Sequence, residues 1–252
     1  MQFPTCTTLP SRAKALAGTA ISSSTRALFR GTSRDFDHAY GVDTGGTIPL
    51  ERLHVLGGPS MDRGCYEGVS VKHFAFAMGL LPDPPERWSF VDIGSGKGRA
   101  VLLAMGYPFR RVVGVELVPE LHAVAQENLR RYRGPRASPS VELICGDATK
   151  APLPTGEVVI FFYNSFRGAL LHRFLDHLEQ SLQSQPRCLI LIYSNPTERA
   201  AVDARRIFQR VYEGASPYDL IWWGNRRLVV YRADIGPAAS SWPHSLQPAA
   251  CL

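Results

Sequence analysis

The stretch Trp88-Ser-Phe-Val-Asp-Ile-Gly-Ser-Gly-Lys-Gly-Arg-Ala100 decides the fold. It starts as a short apolar run, passes through three closely spaced glycines and continues into a segment with helical periodicity. This order predicts a buried strand, a tight turn and a helix that packs on a parallel sheet. Glycines let the backbone turn sharply and approach a ligand closely, and the start of the following helix, near 97–99, offers unpaired N–H groups.

Outward from this stretch, short apolar runs alternate with longer amphipathic segments. The predicted strands are 88–93, 111–116, 141–145, 157–162 and 187–193. The predicted helices are 66–80, 97–106, 118–132, 167–184 and 197–208. Such an alternation is typical of an α/β fold with a doubly wound, mostly parallel sheet. Residues 219–223 and 226–232 flank Gly224-Asn225 and predict an antiparallel hairpin at the C-terminal end.

The chain has 252 residues, of which 45% are apolar and 20% charged, enough for one α/β domain. Residues 1–33 and 236–252 are predicted to be flexible tails, because both are rich in Ser, Ala and Pro with little periodicity. Residues 34–65 are predicted to form an irregular N-terminal arm, a candidate lid, and 66–235 the main domain. The net charge of +6 falls almost wholly in residues 1–34, which hold five basic and no acidic residues. The nearly neutral remainder disfavours a broad nucleic-acid surface.

No metal site and no membrane span are predicted. The five cysteines form no CxxC, and the histidines form no HxH or HExxH pair. No apolar run has the length that a membrane-spanning helix needs. These features fit a cytoplasmic protein. Residues 1–33, which contain Ser, Thr and Arg but no acid, leave organelle targeting open as an alternative.

The residue pattern of the glycine loop at 92–98 indicates which kind of ligand the loop can bind. The phosphate-binding pattern GxxxxGK[ST] is absent, and a dinucleotide loop would need a small residue where Arg99 stands. Asp92, two residues before the first glycine, would repel a pyrophosphate but can accept hydrogen bonds from an ammonium group. S-adenosylmethionine (SAM) carries such an ammonium and no phosphate. Lys97 and Arg99 are expected to be exposed residues of the first helical turn.

Two further acids follow the next two strands. Glu116 ends the second strand, where a carboxylate can accept hydrogen bonds from ribose hydroxyls. Leu117 is placed to cover one face of an adenine, and Asp147 can accept a hydrogen bond from the adenine amino group. Alternatively, Glu116 and Asp147 are helix N-caps.

The motifs Phe90–Gly98, Val113-Gly-Val-Glu116 and Gly146-Asp-Ala148 resemble the successive cofactor motifs of class I SAM-dependent methyltransferases. The resemblance covers roughly residues 66–232, and the loop is also similar to that of non-SET histone-lysine methyltransferases. It implies a seven-stranded sheet with an antiparallel final strand, and SAM as cofactor at the carboxyl ends of the first strands. The cofactor-binding residues so predicted are Tyr66, Ser70, Asp92, Gly94, Ser95, Gly96, Gly98, Glu116, Leu117, Asp147, Ala148 and Asn164.

The methyl acceptor is expected beside the fourth and fifth strands. Phe161-Phe-Tyr-Asn-Ser-Phe166 resembles the Asn/Asp-Pro-Pro-aromatic loop of amine-directed methyltransferases, although Ser165 replaces a proline and one residue is missing. Asn164 and Tyr163 are therefore candidate catalytic residues, with a turn or helix N-cap as the alternative for Asn164. The arm at 35–47 can contribute Tyr40 or Asp43 as a lid, or be a plain surface loop. Tyr193–Pro196 is either the opposite wall or an ordinary turn.

The predicted function is a SAM-dependent methyltransferase with a nitrogen acceptor on a protein or a small molecule. One alternative is an RNA-directed methyltransferase, which the arginine clusters at 130–136 and 205–210 favour. Another is a SAM-binding interaction protein without catalysis, which the altered loop at 161–166 favours. The sequence does not fix the oligomeric state.

Overall fold

A computed structural model describes residues 33–49, 51, 53, 65–81, 85–163, 165, 167–216 and 227–234. The helices in this part of the chain are α1 (Ser33–Tyr40), α2 (Val71–Met78), α3 (Arg99–Ala104), α4 (Pro119–Arg131), α5 (Gly168–Ser184) and α6 (Arg199–Asp203). The strands are β1 (Thr47–Pro49), β2 (Cys65–Glu67), β3 (Ser89–Ile93), β4 (Arg111–Glu116), β5 (Val141–Cys145), β6 (Val158–Tyr163), β7 (Cys188–Ser194), β8 (Gln209–Ala215) and β9 (Arg227–Asp234).

A seven-stranded sheet with the order β5-β4-β3-β6-β7-β9-β8 forms the centre of the fold. The first five strands of this order are parallel, whereas β9 runs antiparallel to both β7 and β8. Every residue of β3 is buried, and the two faces of the sheet are covered by two separate apolar clusters. The doubly wound sheet with an antiparallel end, predicted from the sequence, is therefore confirmed.

The five parallel strands begin and end within one residue of their predicted bounds. The prediction of a helix over 197–208 was wrong at its C-terminal end, because α6 ends at Asp203 and β8 begins at Gln209. Strand β8 lies at the edge of the sheet, and most of its residues are exposed or half-buried. It therefore lacks the apolar run that marks the buried strands. The predicted strand 219–223 and the turn Gly224-Asn225 lie outside the described residues.

The N-terminal arm contains regular structure. Helix α1 opens it, and β1 pairs antiparallel with β2, so that Ile48 lies opposite Tyr66. Phe36 of α1 is 4% exposed and packs into the same apolar cluster as α2 and α3. The described part of the arm thus packs onto the glycine loop and the helices beside it.

Two buried cations attach the arm to the glycine loop. The expectation that Lys97 and Arg99 are exposed was wrong: they are 7% and 3% exposed. Lys97 Nζ lies 3.0 Å from both Asp43 Oδ1 and the Gly45 carbonyl oxygen. Their burial is possible because the arm supplies anionic and polar partners for both side chains.

Arg99 reaches further into the arm. Its Nε donates to Thr44 Oγ1 at 2.7 Å, and its Nη2 lies 3.6 Å from Asp37 Oδ2. Asp37 also accepts hydrogen bonds from the Thr44 amide and hydroxyl. One carboxylate therefore serves both the buried guanidinium and the turn that contacts it.

Asn128 of α4 completes the attachment. Its Oδ1 accepts from the Asp43 amide at 2.8 Å, and its Nδ2 donates to the carbonyl oxygens of Asp43, at 2.7 Å, and Lys97, at 2.9 Å. A single buried amide thus bonds to the arm and to the glycine loop at once. In this structure the described part of the arm packs against the loop through these contacts.

Within the described ranges, no helix combines the length and the apolar character that would let it cross a membrane.

Removal of the Asp37 carboxylate tests the attachment. Asp37→Ala leaves the Arg99 guanidinium buried without its anion, and we expect the free energy of unfolding to fall by on the order of 3 kcal/mol. Glu127→Ala is the matched control, because Glu127 pairs with Arg130 and Arg131 on the exposed face of α4. Glu127→Ala should lower the free energy of unfolding by less than about 1 kcal/mol. Urea denaturation measures both, and equal losses would contradict a special role for the buried pair.

Candidate functional site

A cleft lies at the carboxyl ends of the parallel strands, where open α/β sheets bind ligands. Ten of the residues predicted from the sequence line it, namely Tyr66, Asp92, Gly94, Ser95, Gly96, Glu116, Leu117, Asp147, Ala148 and Tyr163. Its walls also include Glu67, Arg99, Leu121, Phe161, Ser165, Leu170 and Asn195. The residues come from β2, from the glycine loop, from the ends of β4, β5, β6 and β7, and from helices α3, α4 and α5.

The glycine loop turns sharply at each of its glycines. Gly94, Gly96 and Gly98 have φ values of 74°, 54° and 87°, in the left-handed region that favours glycine. A side chain at position 94 would lie 2.5 Å from Ser165 Oγ, and one at position 96 would collide with the Tyr66 ring. The sequence pattern thus reflects both the backbone conformation and the close packing around the loop.

Glu116 holds the loop in place. Its Oε2 accepts from the Gly96 amide at 2.6 Å, and its Oε1 accepts from the Val118 amide at 2.9 Å. The side chain is 6% exposed. A carboxylate offers about four acceptor positions, so one that shapes a loop can also accept hydrogen bonds from a ligand.

Asp92 is a buried acid at the end of β3. It is 3% exposed, and no hydrogen bond joins its carboxylate to another of the described residues. Burial, followed by the nearby negative charge of Glu116, raises the pKa of Asp92 to about 8. An acid in this environment gains most from a bound cation, which would offset both the desolvation and the repulsion from Glu116.

Asp147 lies at the end of β5, in the turn that borders the cleft. Its Oδ1 accepts from the Thr149 amide at 2.9 Å and from the Thr149 hydroxyl at 2.8 Å. The adjacent Gly146 amide donates to the Glu116 carbonyl oxygen at 2.8 Å. This bond keeps the ends of β4 and β5 side by side, so that both acids face one cleft.

Two predicted cofactor residues have structural contacts and do not line the cleft. Ser70 is the N-cap of α2, where its hydroxyl accepts from the His73 amide at 3.4 Å. Gly98 is the N-cap of α3, and a side chain there would lie 3.2 Å from Ala125 Cβ. Both positions support the cleft through the helices that they begin.

The two arm residues proposed for catalysis also lie away from the cleft lining. The Tyr40 ring packs against Phe36 and Tyr132, with centroid separations of 5.1 and 5.4 Å. Asp43 is held by Lys97 and Asn128. These contacts give both residues a part in fixing the arm, and the geometry offers no support for a catalytic role.

The arm contacts the wall of the cleft at Tyr66. The Tyr66 hydroxyl donates to the Thr44 carbonyl oxygen at 2.7 Å, and its ring covers Gly96. Lys97 Nζ lies 5.8 Å from the centre of the same ring. Tyr66 is 8% exposed and joins the arm, the loop and the cleft wall.

At the acceptor end, Tyr163 is half-buried and lines the cleft. Asn164 and Phe166 lie outside the described residues. Between them, Ser165 donates from its hydroxyl to the Ile93 carbonyl oxygen, which fixes that residue above the glycine loop. Asn195 forms part of the wall after β7, so the segment that the sequence assigned to a wall or a turn borders the cleft.

The charged residues that line the cleft are predominantly acidic. Glu67, Asp92, Glu116 and Asp147 are acids, whereas Arg99 is the sole cation among the described residues of this lining, and Arg99 is engaged by Asp37. Among the described residues, no cluster of three or more His, Cys, Asp or Glu side chains is arranged to hold a metal ion. The cleft therefore favours a cationic ligand over a polyphosphate.

The chain is similar to known methyltransferases. Residues 91–190 match the family model described as a methyltransferase domain. A stretch of 73 residues is 41% identical to protein-L-isoaspartate O-methyltransferase of Aeropyrum pernix, which is 28% of this chain and 26% of that protein. The chain thus spans about a quarter of the length of the curated relative it matches.

Two solved structures show a looser likeness. A Pyrococcus horikoshii protein assigned as an RNA methyltransferase has a TM-score of 0.47 and 16% identity, over 74% of this chain and 95% of its own. M. capricolum TrmK in complex with S-adenosyl-homocysteine has a TM-score of 0.43 and 13% identity, over 65% of this chain and 68% of its own. At these scores, neither likeness supports a conclusion about the acceptor. The family match covers residues 91–190, which include the glycine loop, so this part of the chain is similar to methyltransferase domains. The seven-stranded sheet with its antiparallel end agrees with that likeness.

Proposed function

We propose that this chain transfers a methyl group from SAM to a nitrogen atom on a protein or a small molecule. One observation carries the proposal: three acids lie at the ends of three adjacent strands around a glycine loop, in a cleft whose other charged described residues are Glu67 and Arg99. SAM carries two positive centres, the ammonium and the sulfonium, and a neutral adenine and ribose. The distribution of charge in the cleft complements this molecule.

Each acid has a proposed partner on SAM. Asp92 binds the ammonium, because it is buried and makes no hydrogen bond with another described residue. Glu116 accepts from the ribose hydroxyls with its remaining lone pairs, and Asp147 accepts from the adenine amino group with Oδ2, since Oδ1 is occupied by Thr149. Leu117 and Ala148 border the adenine. Gly94, Ser95 and Gly96, with Tyr66, surround the methionine part.

The chemical step needs alignment more than it needs an acid or a base. The acceptor nitrogen attacks the methyl carbon in line with the carbon–sulfur bond, that bond breaks with its electron pair on sulfur, and S-adenosyl-homocysteine leaves. The nitrogen then loses a proton to solvent. The protein holds both reactants in an attack geometry, which here falls to the ends of β6 and β7. Tyr163 and Asn164 are proposed to contact the acceptor.

An amine acceptor fits the charge of the cleft better than RNA does. Several arginines of the clusters that suggested RNA are paired: Arg130 and Arg131 with Glu127, and Arg205 with Asp176 and Glu179. Paired arginines release few counterions on binding phosphates and add little affinity for nucleic acid. The acidic lining would itself repel a phosphate backbone.

Transfer of labelled methyl groups tests the function. Wild-type protein is incubated with methyl-labelled SAM and a cell lysate separated into protein, RNA and small-molecule fractions. We expect label in the protein or small-molecule fraction, and little of it with Asp92→Asn, whose neutral amide cannot pair with the ammonium. Label in RNA alone would contradict the proposed acceptor. Saturable SAM binding without label in any fraction would identify a binding protein without catalysis.

The pKa of Asp92 predicts how SAM affinity depends on pH. In the free protein the carboxyl group is mostly protonated below its pKa of about 8, whereas the SAM ammonium prefers the ionised form. Binding should therefore release a proton, and affinity should rise between pH 6 and 8 by at most about tenfold per pH unit. Above that range the gain ends, because Asp92 is already ionised.

Calorimetry in two buffers of different ionisation enthalpy measures the proton release directly. In Asp92→Asn the affinity should be weaker, and its rise between pH 6 and 8 should be absent. A wild-type affinity that is constant across this range would show that Asp92 is not the group that pairs with the ammonium.

A further inference from the structure

The turn after β7 contains a residue in an unusual conformation. Asn195 has a φ of 52°, and among the described residues no other non-glycine residue has a positive φ. It is half-buried and lines the cleft. Asn tolerates the left-handed region better than most residues do, but strained positions of this kind cluster at functional sites.

The backbone around Asn195 is fixed on both sides. The Asn195 amide donates to the Arg227 carbonyl oxygen of β9 at 2.9 Å, and its own carbonyl oxygen accepts from the Thr197 amide at 2.9 Å. Both main-chain polar groups of the residue are thus occupied. The left-handed conformation is held by these bonds and does not depend on the side chain.

Neighbouring residues attach the same turn to two helices. Ser194 Oγ and His73 Nε2 of α2 form a buried hydrogen bond of 2.6 Å. Glu198 Oε2 accepts from the Gly168 amide, at the start of α5, at 2.7 Å. The turn is therefore held by β9, α2 and α5, and it presents Asn195 to the cleft from a rigid frame.

The sheet order places Asn195 at the acceptor end. Ser194 pairs with Tyr163 of β6, and β6 lies between β7 and the strand that carries Asp92. Because neighbouring strands are about 4.8 Å apart, the end of β7 is roughly 10 Å from Asp92 and one strand further from Glu116. Asn195 therefore borders the part of the cleft that the proposed SAM contacts leave open.

We propose that the Asn195 side-chain amide binds the methyl acceptor, with Oδ1 accepting a hydrogen bond from an N–H of the acceptor amine. This rests on the proposed function. The residue lines the cleft, and no side-chain hydrogen bond joins its amide to another of the described residues. A primary amine that donates one N–H to Oδ1 keeps its lone pair for the methyl carbon. The nitrogen–carbon bond then forms as the carbon–sulfur bond breaks, with the electron pair left on sulfur, and solvent takes the proton.

Two substitutions distinguish a role of the Asn195 side chain from a role of its backbone conformation. Asn195→Gly keeps the left-handed conformation without strain and removes the amide. Asn195→Asp tolerates the same conformation and retains Oδ1 as an acceptor while removing the N–H donors. If Asn195 binds an amine through Oδ1, Asn195→Gly should lose methyl transfer and Asn195→Asp should keep more of it. If Asn195 serves only the turn, Asn195→Gly should transfer methyl groups at least as fast as the wild type.

The experiment uses the full chain, methyl-labelled SAM and the lysate fraction that the wild type labels. For Asn195→Gly we expect a loss of transfer of about tenfold or more, the effect of one lost hydrogen bond to the acceptor. Its SAM dissociation constant should stay within about twofold of wild type and its melting temperature should not fall, because the glycine relieves strain. Asn195→Asp should transfer faster than Asn195→Gly.

Three results would overturn the inference. Transfer by Asn195→Gly at the wild-type rate would show that the residue serves the turn alone. Equal loss of SAM affinity and of transfer would place it in the cofactor site. Transfer by Asn195→Asp no faster than by Asn195→Gly would remove the role of Oδ1. If the wild type itself labels no fraction while it binds SAM, the proposed function fails first, and this inference fails with it.

Discussion

The hydrogen bond from the Gly96 amide to the Glu116 carboxylate is the contact on which the cleft depends. It joins the glycine loop after β3 to the end of β4, and the second oxygen of Glu116 accepts from the second amide beyond that strand's end, Val118. A neutral side chain of similar size would hold the loop less strongly, because hydrogen bonds to a charged acceptor are roughly twice as strong as those to a neutral one. The cost is a buried negative charge, and this charge adds to the burial of Asp92, the larger cause, in raising the pKa of that acid.

Opposite charges lie on the outer side of the same loop. Lys97 and Arg99 are buried there and are balanced by Asp43 and Asp37 of the arm. The loop is thus held between a carboxylate on the sheet side and two cations on the arm side. This arrangement explains why residues 37–47 pack against the loop and why Tyr66 can bond to Thr44 while its ring lines the cleft. The arm supports the cleft through its contacts with the loop, although Asp37 and Asp43 of the arm do not line the cleft.

Much of the fold could be predicted from the sequence because buried parallel strands have continuous apolar runs that stand out locally. The edge strand β8 could not be predicted, because its exposed Gln209 and Arg210 resemble the end of a helix. The acids Asp92, Glu116 and Asp147 were recognisable because strand ends of a parallel sheet converge on one edge. The burial of Lys97 and Arg99 could not be recognised, because their partners lie more than fifty residues away along the chain. No nearby sequence pattern indicates either pair. Asn195 carried only a weak turn signal before Pro196, and its left-handed backbone is set by Arg227 and Thr197, which no local pattern reveals.

Calorimetric titration of the full chain with SAM and, separately, with NADH tests the central claim most directly. The positive-φ glycine loop, bordered by three acids and without a basic side chain left for a pyrophosphate, predicts saturable binding of SAM at one site and no binding of NADH. It also predicts that Glu116→Ala weakens SAM by a few kcal/mol at most, since it removes hydrogen bonds to a charged group. Binding of NADH without binding of SAM, or full SAM affinity in Glu116→Ala, would contradict the assignment of this cleft.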